Sequence, residues 1–255
     1  MTWDMDADSA FNWYNKDTAD NLVAAQSWTR YDPLIAIPRL VEQFARLGLR
    51  LTFFVPGWVI EKYPKQIDLL LKHGHEIALH GYLHERSNEI DKDDELYWLG
   101  RGLDAYRKHT ATGPRGWRAP SFAFSKHSLR YLLEAKFEYD SSLMGDDVPY
   151  ALKDGNASLL EFPVDWTLDD FPYYAHNRDL GYRSRSPRRN GQWKSSAASS
   201  TPLGNLVLCG SRSGIRHCQA ALPGSRRLLS FSTICAPRAA SGLRGSIRFA
   251  ITCRS

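Results

Sequence analysis

No acidic residue follows Asp179 in this 255-residue chain. Residues 180–255 contain thirteen Lys or Arg and no Asp or Glu, so the net charge of +5 averages a basic tail and an acidic body. Cysteine is absent from the first 208 positions. All four (Cys209, Cys218, Cys235 and Cys253) lie in the tail, at spacings that fit no zinc motif. No stretch approaches the roughly 18 apolar residues of a membrane-spanning helix. The opening Met1-Thr2-Trp3-Asp4 has neither the basic nor the apolar run of a secretory leader. The expected compartment is therefore the cytoplasm, and a disulfide framework is not expected. Hydrophobic residues make up 43% of the chain, enough for a sizeable core, which excludes wholesale disorder.

The first 177 residues alternate between two periodicities. Met1 to Asp6 reads as a short strand with Asp4 and Asp6 on one face. A polar, aromatic loop is expected from Asp8 to about Pro33. A helix follows, with Pro38 in its first turn, an apolar stripe of Leu40, Val41, Phe44 and Leu47, and a stop at Gly48. Leu51 to Val55 is a buried strand by its continuous apolar run. Pro64 opens a helix whose Ile67, Leu70 and Leu71 are predicted to face inward, with Gly74 closing it. Glu76 to Leu79 is a third strand ending at His80. Asp91 to His109 is helical, Arg115 to Ala119 a short strand, and Ser125 caps a helix bearing Leu129, Leu132 and Leu133. Phe137 to Ser141 and Leu159 to Val164 complete the strands. This alternation predicts an α/β fold with a parallel sheet or barrel. Asp6, His80, Arg118 and Asp140 all fall at strand C-terminal ends, which share one face in a barrel.

Three segments carry chemistry. His80-Gly-Tyr-Leu-His84 places two imidazoles about one helical turn apart, close enough to reach one ion; as a lone pair they read equally well as two solvent-facing loop residues. The segment is not a zincin helix, because no Glu follows the first histidine. Trp3-Asp4-Met5-Asp6-Ala7-Asp8 puts like charges on one strand face, a repulsion that a cation relieves. Asp8 is expected to fray into water. Arg118, in Gly116-Trp117-Arg118-Ala119-Pro120-Ser121-Phe122, stands where a strand breaks at a proline and can orient a carboxylate, or be an ordinary surface arginine.

Taken in order, these segments resemble the polysaccharide deacetylase (NodB-homology) family over roughly residues 1–177. Its aspartate pair is matched by Asp4 and Asp6, its H-x-x-x-H by His80 and His84, and its arginine-proline motif by Arg118 to Ser121. Tyr139-Asp140-Ser141-Ser142-Leu143 and Glu161-Phe162-Pro163-Val164-Asp165-Trp166 resemble the segments that follow. The residue between Asp4 and Asp6 matches the branch of Helicobacter-type peptidoglycan deacetylases and PuuE-like allantoinases. The resemblance implies a distorted (β/α) barrel, incomplete at its C-terminal end, and hydrolysis of a non-peptide carbon–nitrogen bond. It implies a divalent metal, zinc above others, on Asp6, His80 and His84. Asp4 would be the base, Arg118 its orienting partner, and the backbone N–H near Ser121 an oxyanion donor. Asp140 would stand at the rim of the substrate pocket or just behind its first layer, and Trp166 would either shape that pocket or be a buried core tryptophan. The substrate would be an N-acetylated amino sugar or, alternatively, a small cyclic amide.

The family's late catalytic histidine is not recognisable: neither His176 nor His217 has the matching context. Residues 178–255, rich in Arg, Ser, Gly, Ala and Pro, are expected to be an out-of-frame translation without a reliable fold. The rivals are a basic arm and a divergent module; without aromatic interleaving or a helical stripe, nucleic acid is not the expected partner. An inactive metal-binding remnant and a homo-oligomer stay open; a barrel with its last strands scrambled would expose apolar surface, so poor solubility or aggregation is expected.

Overall fold

The computed structural model describes residues 1–174 and, beyond them, the backbone of segments 176–177, 182–183, 205–207, 215–221 and 228–234. The expected tail, 178–255, lies largely outside the described residues.

The architecture is α/β. Strands β1 (Thr2–Asp4), β2 (Thr52–Val55), β3 (Glu76–Leu79), β4 (Gly116–Trp117) and β5 (Tyr139–Asp140) pair in parallel, each beside the next in sequence. A hairpin follows: β6 (Tyr150–Asp154) and β7 (Ala157–Glu161) are antiparallel, and it is β7 that joins β5, in parallel. At the other edge, Asn205–Val207 pairs antiparallel with β1. The hairpin was not expected, although Gly155-Asn156, with Gly155 at φ +58°, is a recognised two-residue turn between its strands.

Among the described residues the α-helices are α1 (Ser9–Tyr14), α2 (Val23–Tyr31), α3 (Ile37–Arg46), α4 (Gly57–Lys62), α5 (Pro64–Lys72), α6 (Lys92–Thr110), α7 (Ser128–Glu134) and the single turn α8 (Phe171–Tyr174). Val41 and Phe44 of α3, Ile67 and Leu70 of α5, and Leu99 and Leu103 of α6 close over Phe53, Val55, Ile77 and Leu79 of the sheet. Burying such side chains is worth about 1.5–3 kcal/mol each. Helix α6 shows both ends of a well-specified helix. The Asp91 carboxylate accepts from the Asp93 and Asp94 N–H groups, acids fill the first turn, and Arg107, Lys108 and His109 fill the last.

Three expectations need correction. The segment from Asp8 to Pro33 is mostly helical, not a loop: it holds α1, α2 and a π-helical turn over Asp32–Ala36 that runs into α3. The buried face of α2 consists of Ala25 and Thr29, too small to register as an apolar stripe. Leu71 is 41% exposed, because Ile67 and Leu70 already occupy the inward face of α5. Ser125 accepts from the His127 and Ser128 N–H groups, and α7 proper starts at Ser128.

β4 is short and tightly packed. A Cβ on Gly116 would lie 2.0 Å from Tyr139 Cζ, its cross-strand neighbour on β5. That ring is held between Phe54 and Phe162 and cannot step aside. Gly116→Ala is therefore expected to cost about 1–3 kcal/mol, read as a lower denaturant midpoint at unchanged slope. An unshifted midpoint would contradict this packing.

Candidate metal and catalytic site

The site forms where β1, β3 and β4 end. Trp3 and Met5 are buried in the core, so alternation turns Asp4 and Asp6 the other way. After β3 the chain makes a tight loop rather than the helical turn suggested by the histidine spacing. Gly81 has φ +69° and His84 φ +65°. The buried Glu85 carboxylate staples the loop, accepting the Tyr82 N–H at 2.8 Å and the Leu83 N–H at 2.7 Å. A Cβ on Gly81 would meet Glu85 Oε1 at 2.7 Å, so the loop needs glycine there for two reasons. Nothing in the sequence pattern distinguished Glu85 from a surface acid.

Asp6, His80 and His84 converge, with one ligand atom from each lying within 4.8 Å of the others. Asp6 Oδ1 is 3.5 Å from His80 Nε2, and Asp6 Oδ2 is 3.4 Å from His84 Nε2. Donor atoms around a tetrahedral ion with ~2.0–2.1 Å bonds stand roughly 3.3 Å apart, so these two spacings suit ligands of one metal ion. His80 Nδ1 is 2.7 Å from the Arg118 carbonyl oxygen. A carbonyl only accepts, so Nδ1 carries the proton and Nε2 keeps its lone pair facing Asp6.

The charges agree with that function. Burial holds the His80 imidazole below its ordinary value, favouring the neutral, ligating form. Burial opposes a charge on His84 too, but the carboxylates of Asp6, Glu85 and Asp4, Asp6 foremost, together raise this imidazole. Burial likewise works against the Asp6 anion, yet His84, His80 and Arg118 together hold it below the usual carboxylate range.

Asp4 stands beside this triad, Oδ2 being 4.0 Å from His80 Nε2. Its Oδ1 accepts from Arg118 Nη1 at 2.5 Å. Arg118 is 0% exposed, not a surface arginine. Its Nε donates to the Ser141 carbonyl at 2.8 Å, its Nη2 to Ser141 Oγ at 2.7 Å, and its guanidinium carbon lies 3.9 Å from the Phe54 ring centre. Three residues on, Ser121 and Phe122 both take left-handed backbone (φ +54° and +56°), a conformation that residues with side chains adopt uncommonly and two in succession more rarely still. The Phe122 ring meets Trp166 edge-to-face at 4.7 Å, and Trp166 is 44% exposed.

Other expected residues sit elsewhere. Asp140 takes the inner of its two expected places: it is fully buried rather than at a pocket rim, and Ser142 Oγ and N–H bind its carboxylate at 2.7 and 3.1 Å. Asp8 does not fray: it is 3% exposed and accepts from Tyr63 Oη at 2.9 Å and Lys62 Nζ at 2.7 Å. Two further buried carboxyls face the site. Asp32 accepts the Ala7 N–H at 3.3 Å, and burial, then the Asp6 charge, pushes it up to about 7. Asp169 accepts the Phe171 N–H at 2.9 Å, and burial, then the Asp4 and Asp6 charges, raises it to about 7. Neither has a sequence signal. The side chains of His176 and His217 lie outside the described residues.

Residues 33–139, which include His80, His84 and Arg118, match the polysaccharide deacetylase family. The fold agrees: a Mycobacterium smegmatis structure assigned as a polysaccharide deacetylase is 39% identical, with a TM-score of 0.67 over 70% of this chain and 62% of that one. Over residues 33–139 the chain is similar to a polysaccharide deacetylase domain. It is 31% identical to a peptidoglycan deacetylase of Helicobacter pylori over 162 residues, 54% of this chain and 55% of that one. The PuuE allantoinase structure shares its fold at 22% identity, with a TM-score of 0.55 over 59% of this chain and 50% of that one. The chain spans about half the length of the curated relatives it matches. No helix among the described residues is long and apolar enough to cross a membrane.

Proposed function

We propose that this chain is a divalent-metal-dependent hydrolase that removes N-acetyl groups from the amino sugars of a polysaccharide such as peptidoglycan. The observation that supports it best is the convergence of Asp6, His80 and His84 beside an Asp4 carboxylate locked by a buried arginine. Asp6, His80 and His84 would hold the ion, and zinc suits their two nitrogens and one oxygen. A bound divalent ion supplies a Lewis acid and a water whose pKa falls toward ~7.

The protein's own groups do the rest. Arg118 occupies Asp4 Oδ1, leaving Oδ2 to take the proton of the attacking water. The water oxygen bonds to the amide carbon, and the left-handed turn at Ser121 presents a backbone N–H to the oxygen that gains charge. The carbon–nitrogen bond then breaks, and the amine leaves with the proton that Asp4 took from the water. Phe122 and Trp166 form the apolar wall against which a sugar ring packs.

The composition, free of acids after Asp179 and rich in arginine, also leads us to read residues 178–255 as translated out of frame. Retranslation of the encoding DNA checks this: another frame should restore a histidine-proline strand motif and an amphipathic C-terminal helix. Their absence from both other frames would refute it.

Metal content and acetate release test the function together. The full chain is expected to carry one divalent ion and to free acetate from N-acetylglucosamine oligomers. Ion without turnover on these or on allantoin would mark a metal-binding remnant. Ring-opening of allantoin without acetate release would replace the amino-sugar reading with the cyclic-amide one.

A further inference from the structure

Behind Arg118 lies a second pair of acids that the reaction does not use. Asp140 on β5 and Glu161 on β7 are direct partners in the parallel ladder, and both are fully buried. Like charges placed opposite one another on neighbouring strands repel, and burial sharpens the repulsion. The chain nevertheless places them there and builds a turn around them. Glu161 Oε1 accepts the Ser142 and Leu143 N–H groups, both at 3.0 Å. Asp140 accepts the Ser142 hydroxyl and N–H. Glu161 Oε2 is buried and has no N–H or O–H donor. It faces the Asp140 carboxyl, which as an anion is only another acceptor.

The turn these acids grip, Ser141 to Leu143, is the one that holds the catalytic side. The Ser141 carbonyl and hydroxyl take two of the Arg118 N–H donors, and that hydroxyl donates onward to the Phe162 carbonyl at 2.9 Å. Ser142 Oγ accepts the Ala119 N–H at 2.8 Å, two residues before the strained Ser121. One short turn thus fixes both the guanidinium that aims Asp4 and the backbone leading to the oxyanion donor.

We propose that Glu161, joined to Asp140 by a single shared proton, is a positioning residue for Arg118 and the Ser121 turn. It acts through the Ser141–Leu143 segment and touches neither substrate nor metal ligand. The inference rests on the deacetylase reading for its kinetic consequences only; the shared proton has a readout of its own. With a proton between them, the two acids become donor and acceptor instead of two repelling anions. Burial first, then the hydrogen bond to Asp140, raises the Glu161 carboxyl well above the ordinary glutamate range. Burial raises Asp140 as well. The other titratable groups facing the pair are Tyr150, opposite Glu161 on β6, and Arg118 beyond Ser141.

Glutamine mimics the protonated acid. Its carbonyl can accept the Ser142 and Leu143 N–H groups, while its amide donates to Asp140. Glu161→Gln should therefore retain wild-type kcat near neutral pH and keep activity at alkaline pH, where the wild type loses the shared proton. Glu161→Ala should lower kcat at least tenfold with little change in KM or metal content. Thermal unfolding against pH tests the proton without any substrate. A raised carboxyl contributes stability that is full below its unfolded value and is lost as pH rises through its folded one. The wild-type melting temperature should accordingly fall with rising pH relative to that of Glu161→Gln. Superimposable melting and activity profiles for the two proteins would overturn the proposal, as would a Glu161→Gln enzyme as impaired as Glu161→Ala. If the wild type shows no turnover, the functional reading fails while the melting comparison still decides the shared proton. If Glu161→Ala does not fold, Glu161→Gln alone carries the test.

Discussion

Arg118→Leu is expected to destabilise the protein by about 3–5 kcal/mol and to abolish turnover. Arg118 is wholly buried and is the direct hydrogen-bond partner of Asp4, itself only 4% exposed. Taking the guanidinium away leaves a carboxylate inside the protein with its counter-charge gone. It also strips donors from Ser141 and leaves an empty space over the Phe54 ring. Asp4→Leu alone should be damaging for the mirror reason, stranding a guanidinium. The pair of substitutions together should cost much less than the sum of the two, because neither charge remains to be stranded. Urea denaturation of the two single variants and the double variant measures this coupling. Simple additivity would mean that the Arg118–Asp4 pair is not the unit described here. Arg118→Lys should partly rescue stability but not catalysis, since a lysine cannot hold Ser141 and Asp4 at once.

His84→Ala is expected to lower metal affinity by more than the ~10–100-fold typical of losing an outer-shell partner, and to reduce turnover to background. The same site should respond to pH in a defined direction. Ligands bind an ion only when deprotonated. Burial already favours neutral His80, whereas the Asp6 carboxylate holds the His84 proton on above the ordinary imidazole range. Metal affinity should therefore fall as pH drops through the raised His84 value, and loading near that pH should release a proton. The metal-free protein runs the other way. The His84–Asp6 pair stabilises it at lower pH and is lost as pH rises through the folded His84 value. The lowered Asp6 carboxyl contributes above its unfolded value and loses that contribution as pH falls through its folded one. Calorimetric titration in buffers of different ionisation enthalpy counts the released proton. Pronounced pH independence from 5 to 8 would contradict the assignment of His84 as a ligand.

Parts of this fold are legible from sequence for clear reasons. Leu51–Val55 and Ile77–Leu79 are short, largely apolar runs bounded by glycine or proline, so β2 and β3 emerge directly, along with α3 before them, α5 between them and α6 after them. Asp4, Asp6, His80 and Arg118 can be picked out because they stand at or just past strand ends, and His84 by its four-residue spacing from His80. The helical content of residues 9–36 is hidden, because α2 buries only Ala25 and Thr29 and no apolar period results. Leu71 looks like core by spacing but lies one position too far round α5. Glu85, Asp32, Asp169 and Glu161 are illegible for a different reason. Their importance comes from partners that folding brings together, or from burial that no local pattern announces. Asp140 stands at the expected strand end, yet the strand places it behind Arg118 rather than in front of it.

The central claim is that Asp6, His80 and His84 form one ion site, and metal content of the full chain tests it most directly. After chelation and reloading with zinc, elemental analysis should find one ion per wild-type chain and none above background in Asp6→Ala. Equal zinc in the two proteins, or none in either, would contradict the account.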